Sequence, residues 1–394
     1  MLILVVNAGS STYKLSLFNI INDRPVDPMW NGVIDWGQSI PSLSIQVPNK
    51  QKINQNLDGI SKDDGLQILL ESLWKGDTKV ISGSSDIERV GHRVVHGGRE
   101  LQKPILITPR VKEQIKKLIP LAPLHNPADL EGIKIMEKHF PDIPQVAVFD
   151  TAFHANMPDV AKTYPLPMTW MKDGIQRFGF HGISHQYCSE RAAKILNKDI
   201  NTLKIINCHL GNGSSVCAIK NGVSIDTSMG FTPMEGLMMG TRCGSIDPGI
   251  LLYLLREKKQ TIESLDEILN FKSGLKGICG TSDMREIVRQ QELDFKLAFD
   301  MYVYRLKSYI GAYIAQLEGA DVISFTAGIG ENSVAIRENA CKGLEFMGVE
   351  IDKSLNENCV GDEIISKSNL ATKVLVIHTK EEWMIAKFCF NIKF

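Results

Sequence analysis

Residues 2–7 (LILVVN) open with an apolar run, Leu2 to Val6, in a pattern that breaks at Ala8-Gly9-Ser10-Ser11-Thr12, after which residues 14–19 alternate between apolar and polar. A short apolar run bounded by small turn residues predicts a buried strand, and alternation predicts a second strand. The arrangement recurs at residues 204–219 (KIINCHLGNGSSVCAI), followed by an Asn221-Gly222 turn and a third strand over 223–226. Asn-Gly between two such runs is a strong hairpin signal. The recurrence implies an internal duplication, although the copies share little beyond a Gly-Ser-Ser step.

Between the copies the period changes. Thr108 and Pro109 supply an N-cap and first-turn proline for a helix with Val111, Ile115, Leu118 and Ile119 on one face. Asn126 and Pro127 predict the next, with Leu130, Ile133 and Met136 inward. QVAVF (145–149) is a buried strand ending in Asp150, and a group just past the carboxyl end of an α/β strand sits where such sheets bind ligands. Asp150 is therefore either a ligand-facing carboxylate or a turn cap for Thr151. Asp247-Pro248 opens another helix, and 294–318 form a long amphipathic one. VISFT (322–326) leads into the glycine turn Ala327-Gly328-Ile329-Gly330-Glu331-Asn332 and a helix from about Ser333, an arrangement suited to a nucleotide. A last strand at 374–378 precedes a helix headed by Glu381 and Glu382.

With 394 residues the chain is long for one core and predicts two domains, with a cleft between them as the default site. Lys and Arg number 44 against 45 Asp and Glu, a net charge of −1 without a charge run, which argues against nucleic acid or a membrane surface as partner. An anion would be met by a few placed residues. No basic leader or bilayer-length apolar stretch appears, so the expectation is a cytoplasmic protein. The eight cysteines, Cys188 to Cys389, include no CxxC pair and predict reduced structural thiols.

The Gly211-Asn212-Gly213 turn, with glycines free to take positive φ and with Ser214 and Ser215 following, leaves backbone N–H groups open to a phosphate, though a plain hairpin turn looks the same. The familiar nucleotide signatures are absent: there is no GxxxxGK[ST], and neither Gly211-x-Gly213 nor Gly328-x-Gly330 completes GxGxxG. His92/His96 and His181/His185 lack the glutamate of a zinc HExxH, and Cys243 has no histidine beside it. Arg93 in VGHRVVHGGRE and Arg242 in GFTPMEGLMMGTRCGSIDPG are more telling, because a guanidinium fork in a glycine-bounded segment suits a carboxylate or phosphate. Structural ion pairs are the plainer alternative for each.

Taken in order, VVNAGSS (5–11), VGHRVVHGG (90–98), LAPLHNP (121–127), VFDTAFH (148–154), FGFHGISH (178–185), CHLGNGSS (208–215), SMGFTPMEGLMMGTRCGSIDPG (228–249) and FTAGIGENS (325–333) resemble the acetate kinase family over nearly the whole length. That family belongs with the sugar kinases, heat-shock ATPases and actin. The resemblance implies an α/β fold built on a duplicated βββαβαβα core, of the actin-like ATPase and ribonuclease H-like type, with the active site in the inter-domain cleft. It implies a first domain over 1–152, completed by the C-terminal helix at about 384–394, and a nucleotide-binding second domain over 153–383. It further implies a homodimer.

The reaction so implied is reversible Mg²⁺-dependent phosphoryl transfer from ATP to acetate, giving ADP and acetyl phosphate, with Mn²⁺ as a substitute metal. Arg93 and Arg242 would hold carboxylate and phosphoryl, and His181, with Gly182 allowing a close turn, would join Arg242 in steadying the transition state. Asn7, Asp150 and Glu381 match the family's metal positions. Asp150 goes to the metal because ionised acetate needs no general base. Ser10, Ser11 and Lys14 would line one phosphate turn and His209, Leu210, Gly211, Asn212 and Gly213 the other, with His125 supporting. The adenosine site would combine Gly328, Ile329, Gly330, Glu331 and Asn332 with Asp283-Met284-Arg285, where methionine replaces the family's phenylalanine. Val95, Leu124, Phe180 and Pro233 would enclose the acetate methyl. Ile183 stands where the family commonly has a small hydroxyl residue, implying a lost polar contact near the phosphoryl. The rivals are a propionate or butyrate kinase, an ATPase switch of the actin or heat-shock type, and an inactive structural relative.

Overall fold

The computed structural model describes residues 1–22, 24–37 and 39–393. It divides into two compact units, Met1–Ala152 with Lys380–Phe394, and Phe153–Thr379.

In the first unit the strands are β1 (Leu2–Ala8), β2 (Thr12–Asn19), β3 (Trp30–Asp35), β4 (Ser42–Gln46), β5 (Ile53–Asn56), β6 (Arg89–Val94), β7 (Ile105–Leu106) and β8 (Gln145–Phe149). They form one sheet in the order β5-β4-β3-β2-β1-β6-β8-β7. β1 pairs antiparallel with β2 but parallel with β6, which pairs parallel with β8. The apolar runs at β1 and β8 are the strands covered on both faces, as a parallel sheet requires. Trp30, Leu4, Leu17 and Leu69 pack in one cluster, and Val94, Ile115, Ile133 and Phe149 in another.

In the second unit β9 (Lys204–Leu210), β10 (Ser214–Lys220), β11 (Val223–Thr227), β12 (Val322–Thr326), β13 (Glu363–Ile364) and β14 (Lys373–Val376) follow the order β11-β10-β9-β12-β14-β13. The run β11-β10-β9-β12-β14 repeats β3-β2-β1-β6-β8 in both order and strand sense. The duplication expected from the two hairpins is thus present in the topology. The long helix Leu293–Leu317 lays Tyr302, Leu306, Ile310 and Tyr313 into this core.

The closing helix, Glu381–Asn391, belongs wholly to the first unit. The chain changes units at Thr379/Lys380, ahead of the expected 383/384, because this helix is one element packed on β1 and β6. Gly91 permits that approach: a Cβ there would stand 2.5 Å from Cys389 Sγ. The last residue of the expected helix, Phe394, lies outside the described residues.

Local signals were mostly realised. Thr108 accepts from Val111 N, Asp247 accepts from Gly249 N, and Asn221 and Gly222 take φ of 55° and 77°. Asn126 is a correction. It is the first residue inside its helix rather than the cap, and its amide instead bonds the backbone of His96 at both N and O, each at 3.2 Å. Ala327–Asn332 is also corrected from a glycine turn to a short helix, entered through Ala327 at φ 64°.

Candidate active site

In the first unit the parallel pairing of β6 with β8 sets Asp150 beside Arg93: Asp150 N donates to Val94 O at 3.0 Å. Arg93 then meets the carboxylate twice, Nε to Oδ1 at 3.1 Å and Nη2 to Oδ2 at 2.6 Å, while Nη1 reaches Asn7 Oδ1 at 3.4 Å. Asp150 is 1% exposed. Burial works against the charge on Arg93, but Asp150 and then Glu381 outweigh it and raise its pKa. Glu381, at the head of the closing helix, has its Oε1 sealed from solvent without a hydrogen-bond partner among the described residues. Burial pushes its carboxyl up to about 7, against Arg93 and with Asp150. Asn7, Asp150, Glu381 and Arg93 are thus one electrostatic cluster, and Arg93 is engaged by the carboxylate read as a metal ligand.

Asp129 was not singled out from the sequence. It accepts from Val95 N at 2.9 Å and is 5% exposed, and burial pushes its carboxyl up to about 8 against Val95 N–H and Arg93. Its signal was a carboxylate on the inward stripe with Leu130 and Ile133. The turn expected to line a phosphate is closed by Gly9 N to Thr12 O at 2.8 Å, and Ser10, Ser11 and Lys14 are exposed, Lys14 lying opposite Asn7. Val95 is buried, and Leu124 is half-buried just ahead of His125.

In the second unit His181 sits at the N-terminus of the helix Gly182–Ile195 in the left-handed region, at φ 55°. Such a conformation is uncommon for a residue with a Cβ and is often retained at working sites. The turn is made by His181 itself; Gly182 is already helical. A buried hydrogen-bond chain fixes the ring. Ser324 Oγ donates to Asn207 Oδ1 at 2.6 Å, which leaves Asn207 Nδ2 to donate to His185 Nδ1 at 2.8 Å. His185 Nε2–H therefore donates to Ser215 Oγ at 2.8 Å, and the serine hydroxyl donates to His181 Nδ1 at 2.9 Å. Burial keeps His185 well below the ordinary imidazole range, hence neutral. The proton of a neutral His181 is consequently on Nε2.

Gly213 faces that atom. A Cβ there would stand 3.4 Å from Arg242 Nη1 and 3.5 Å from His181 Nε2. Neither Gly211 nor Gly213 takes a positive φ, so what they supply is room rather than an unusual backbone. Arg242 donates to Pro233 O at 3.2 Å and makes no ion pair among the described residues; burial lowers its pKa. His209 stacks on His181, ring centroids 4.1 Å apart, and its Nδ1 is 2.8 Å from Ser184 Oγ. Leu210 is fully buried in the core, so only its backbone could meet a nucleotide. Ile183 is likewise interior at 2% exposed, and the neighbouring hydroxyl is that of Ser184. Phe180 is buried, and Pro233 half-buried.

A cavity of about 990 Å³ in the second unit is lined by Gly211, Asn212, Asp283, Met284, Arg285, Gly328, Ile329 and Asn332, among others. The structure therefore gathers most of the expected adenosine positions around one space. Gly330 and Glu331 do not line it. Gly330 is buried, a Cβ there standing 3.3 Å from Phe325 C. Glu331 secures the chain instead, accepting from Ala327 N at 2.8 Å and Thr379 N at 3.2 Å and meeting His378 Nδ1 at 2.5 Å. Asp283 caps the helix Met284–Arg289 and pairs with exposed Arg285, whose bond to it lowers its pKa to about 2.

The sequence model of the Acetokinase family matches residues 2–387. The chain belongs to the acetokinase family. An acetate kinase of Protochlamydia amoebophila (strain UWE25) is 52% identical over 387 residues, 98% of each chain. Among solved structures, the acetate kinase of Porphyromonas gingivalis superposes with a TM-score of 0.90 at 41% identity, and a propionate kinase of Francisella tularensis subsp. tularensis SCHU S4 with 0.90 at 39%, each covering 98% of both chains. Acetokinase membership makes this chain a kinase with the α/β fold that its two sheets display.

Proposed function

We propose that this acetokinase catalyses reversible transfer of the γ-phosphoryl group of ATP to acetate. One acetate oxygen forms the new bond to phosphorus, the bond from phosphorus to the β–γ bridging oxygen breaks, and its electrons leave with ADP. Acetate, like a free glutamate side chain of pKa about 4.3, is ionised at pH 7, so no group need remove a proton. The barrier is the approach of two anions, which positioning and positive charge lower.

The observation that carries this reading is Gly213 opposite both Arg242 Nη1 and His181 Nε2. Arg242 supplies a charge not balanced by any carboxylate among the described residues, and His181 supplies an N–H at Nε2 whose direction the buried chain sets. A preorganised donor of this kind is worth about 3–4 kcal/mol of barrier. The second-unit cavity takes adenosine, with Met284 covering the base through its polarizable side chain. Arg93, Val95 and Leu124 of the first unit are assigned to the acetate, and Phe180 and Pro233 of the second unit to an acyl wall.

Asn7, Asp150 and Glu381 suit a hard divalent cation, because all three offer oxygen and Glu381 Oε1 is buried without a partner. They would hold Mg²⁺, or Mn²⁺ in its place, which when bound neutralises phosphate charge. ATP as donor supports work in the cytoplasm, and among the described residues no helix is long and apolar enough to cross a membrane. The helix Pro248–Arg256 (PGILLYLLR) buries none of its residues, which supports the homodimer.

An acyl-phosphate hydroxamate assay with ATP, Mg²⁺ and acetate, propionate or butyrate tests the reading. Acetate gives the highest kcat/KM, and propionate, one methylene larger, falls about 10- to 200-fold below it. ATP turnover unaffected by any carboxylate overturns the proposal in favour of an ATPase switch.

A further inference from the structure

Residues 228–236 contain neither helix nor strand, yet they carry Pro233, whose carbonyl receives Arg242. Their shape must come from side chains. Arg177 Nη1 lies within hydrogen-bond distance of three consecutive carbonyls, Thr227 at 3.0 Å, Ser228 at 3.3 Å and Met229 at 3.2 Å, and Nη2 donates to Glu235 Oε1 at 2.7 Å. The Tyr164 hydroxyl donates to Glu235 Oε2 and accepts from Phe231 N at 2.8 Å. The guanidinium of Arg177 also lies over the Tyr164 ring, 5.4 Å from its centroid. Phe178 N and Gly179 N both donate to Gly230 O, at 3.0 and 3.2 Å. Packing around Gly230 is closed: a Cβ would fall 1.6 Å from Glu235 Oε2 and 2.1 Å from the Tyr164 oxygen.

We infer that Tyr164, Glu235 and Arg177 are positioning residues that set the acyl pocket and the aim of Arg242. Arg177 precedes Phe180 and His181 by a few residues, and Glu235 follows Pro233. One ion pair with a tyrosine across it therefore joins both segments that bear the second unit's acyl wall and its phosphoryl donors. Both guanidinium NH₂ groups of Arg177 are occupied by the protein, and Glu235 is shared between Arg177 and Tyr164, so the cluster orders substrate-facing groups while touching no substrate itself. A charge-assisted arrangement in which both carboxylate oxygens and both guanidinium NH₂ groups are engaged resists shear better than single neutral bonds. Loosening it widens the wall at Pro233, which favours longer acyl chains over acetate.

This inference rests on the carboxylate-kinase reading. The test measures kcat and KM for acetate, propionate and ATP in wild type, Tyr164→Phe, Glu235→Gln and Arg177→Lys, with a urea unfolding midpoint for each. In Tyr164→Phe and Glu235→Gln the acetate-over-propionate preference in kcat/KM drops about three- to tenfold, within what one methylene contributes, while KM for ATP stays unchanged. Arg177→Lys keeps the charge but loses the fork, and shifts the preference the same way. Tyr164→Phe retains the ring over Arg177, so it keeps the test decisive if a charge variant does not fold. Equal loss of kcat/KM for both acids, or an unchanged preference in folded Tyr164→Phe, overturns the positioning role. Wild type that forms no acyl phosphate overturns the underlying reading, and the inference falls with it.

Discussion

Arg93 grips Asp150 through two parallel hydrogen bonds although 57 residues separate them. An arginine taken for a substrate and a carboxylate taken for a metal are each other's nearest partner. This pairing gives the buried carboxylate a counter-charge, and it holds the guanidinium plane in one orientation against Asn7. It also gives Arg93 a structural partner, which separates it from Arg242.

Arg93→Ala loses kcat by orders of magnitude and also destabilises the fold by about 3–5 kcal/mol, since Asp150 is left buried without its counter-charge. Urea unfolding at pH 7.5 or so, alongside the hydroxamate assay, reads both effects. Adding Asp150→Asn to Arg93→Ala restores much of the stability and none of the activity. Unchanged stability in the single variant would show that the pair contributes nothing to the fold.

Arg242→Ala behaves differently. It forfeits a hydrogen bond to Pro233 O and no ion pair, so stability changes by about 1 kcal/mol while kcat falls about 10²- to 10³-fold. Unfolding midpoints and kcat measured on the same preparation decide it, and a wild-type kcat rules out a role in phosphoryl transfer.

The two glycines of the short helix Ala327–Asn332 divide between ligand and core. A Cβ at Gly328 meets nothing within 4 Å, so Gly328→Ala leaves the melting temperature in place and raises KM for ATP several-fold. Gly330→Ala presses on the backbone at Phe325 and costs about 1–3 kcal/mol. Thermal melts with ATP titrations distinguish the pair; a destabilised Gly328→Ala with normal ATP affinity contradicts this division.

Asp129 and Glu381 titrate in the native state at about 8 and about 7, well above free carboxylates. Between about pH 4 and those values the native state keeps a proton that the unfolded chain has released, so rising pH favours unfolding. Measured as the difference between wild type and Asp129→Asn, which cancels the opposite trend of the buried histidines, wild-type stability falls relative to the variant from pH 5 to about 8. Mg²⁺ affinity weakens as pH drops below about 7, where Glu381 takes up its proton. A wild-type advantage that grows with pH would overturn the Asp129 assignment.

The chain's own pattern determined a good deal. Strand-like runs around a Gly-Asn-Gly turn and an Asn-Gly turn specified the β9-β10-β11 meander, because hairpin geometry is settled within a few residues. Thr108 and Asp247 announced helix starts for the same local reason. The motif blocks also singled out Arg93, Asp150, His181 and Arg242 as candidates, and the family resemblance added Glu381.

Tertiary structure decided what those groups do to one another. The Arg93–Asp150 bond depends on the parallel register of β6 with β8, which no local period encodes. The proton on His181 Nε2 depends on Asn207, His185 and Ser215 arriving from a strand, a helix and another strand. Leu210 and Ile183 went inward and Glu331 turned to the chain rather than to the cavity, because a motif states residue types while packing chooses which way each side chain faces. Hydrophobic period and turn chemistry act over a few residues, whereas ion pairs and tautomers form across a sheet and wait for the whole unit to fold.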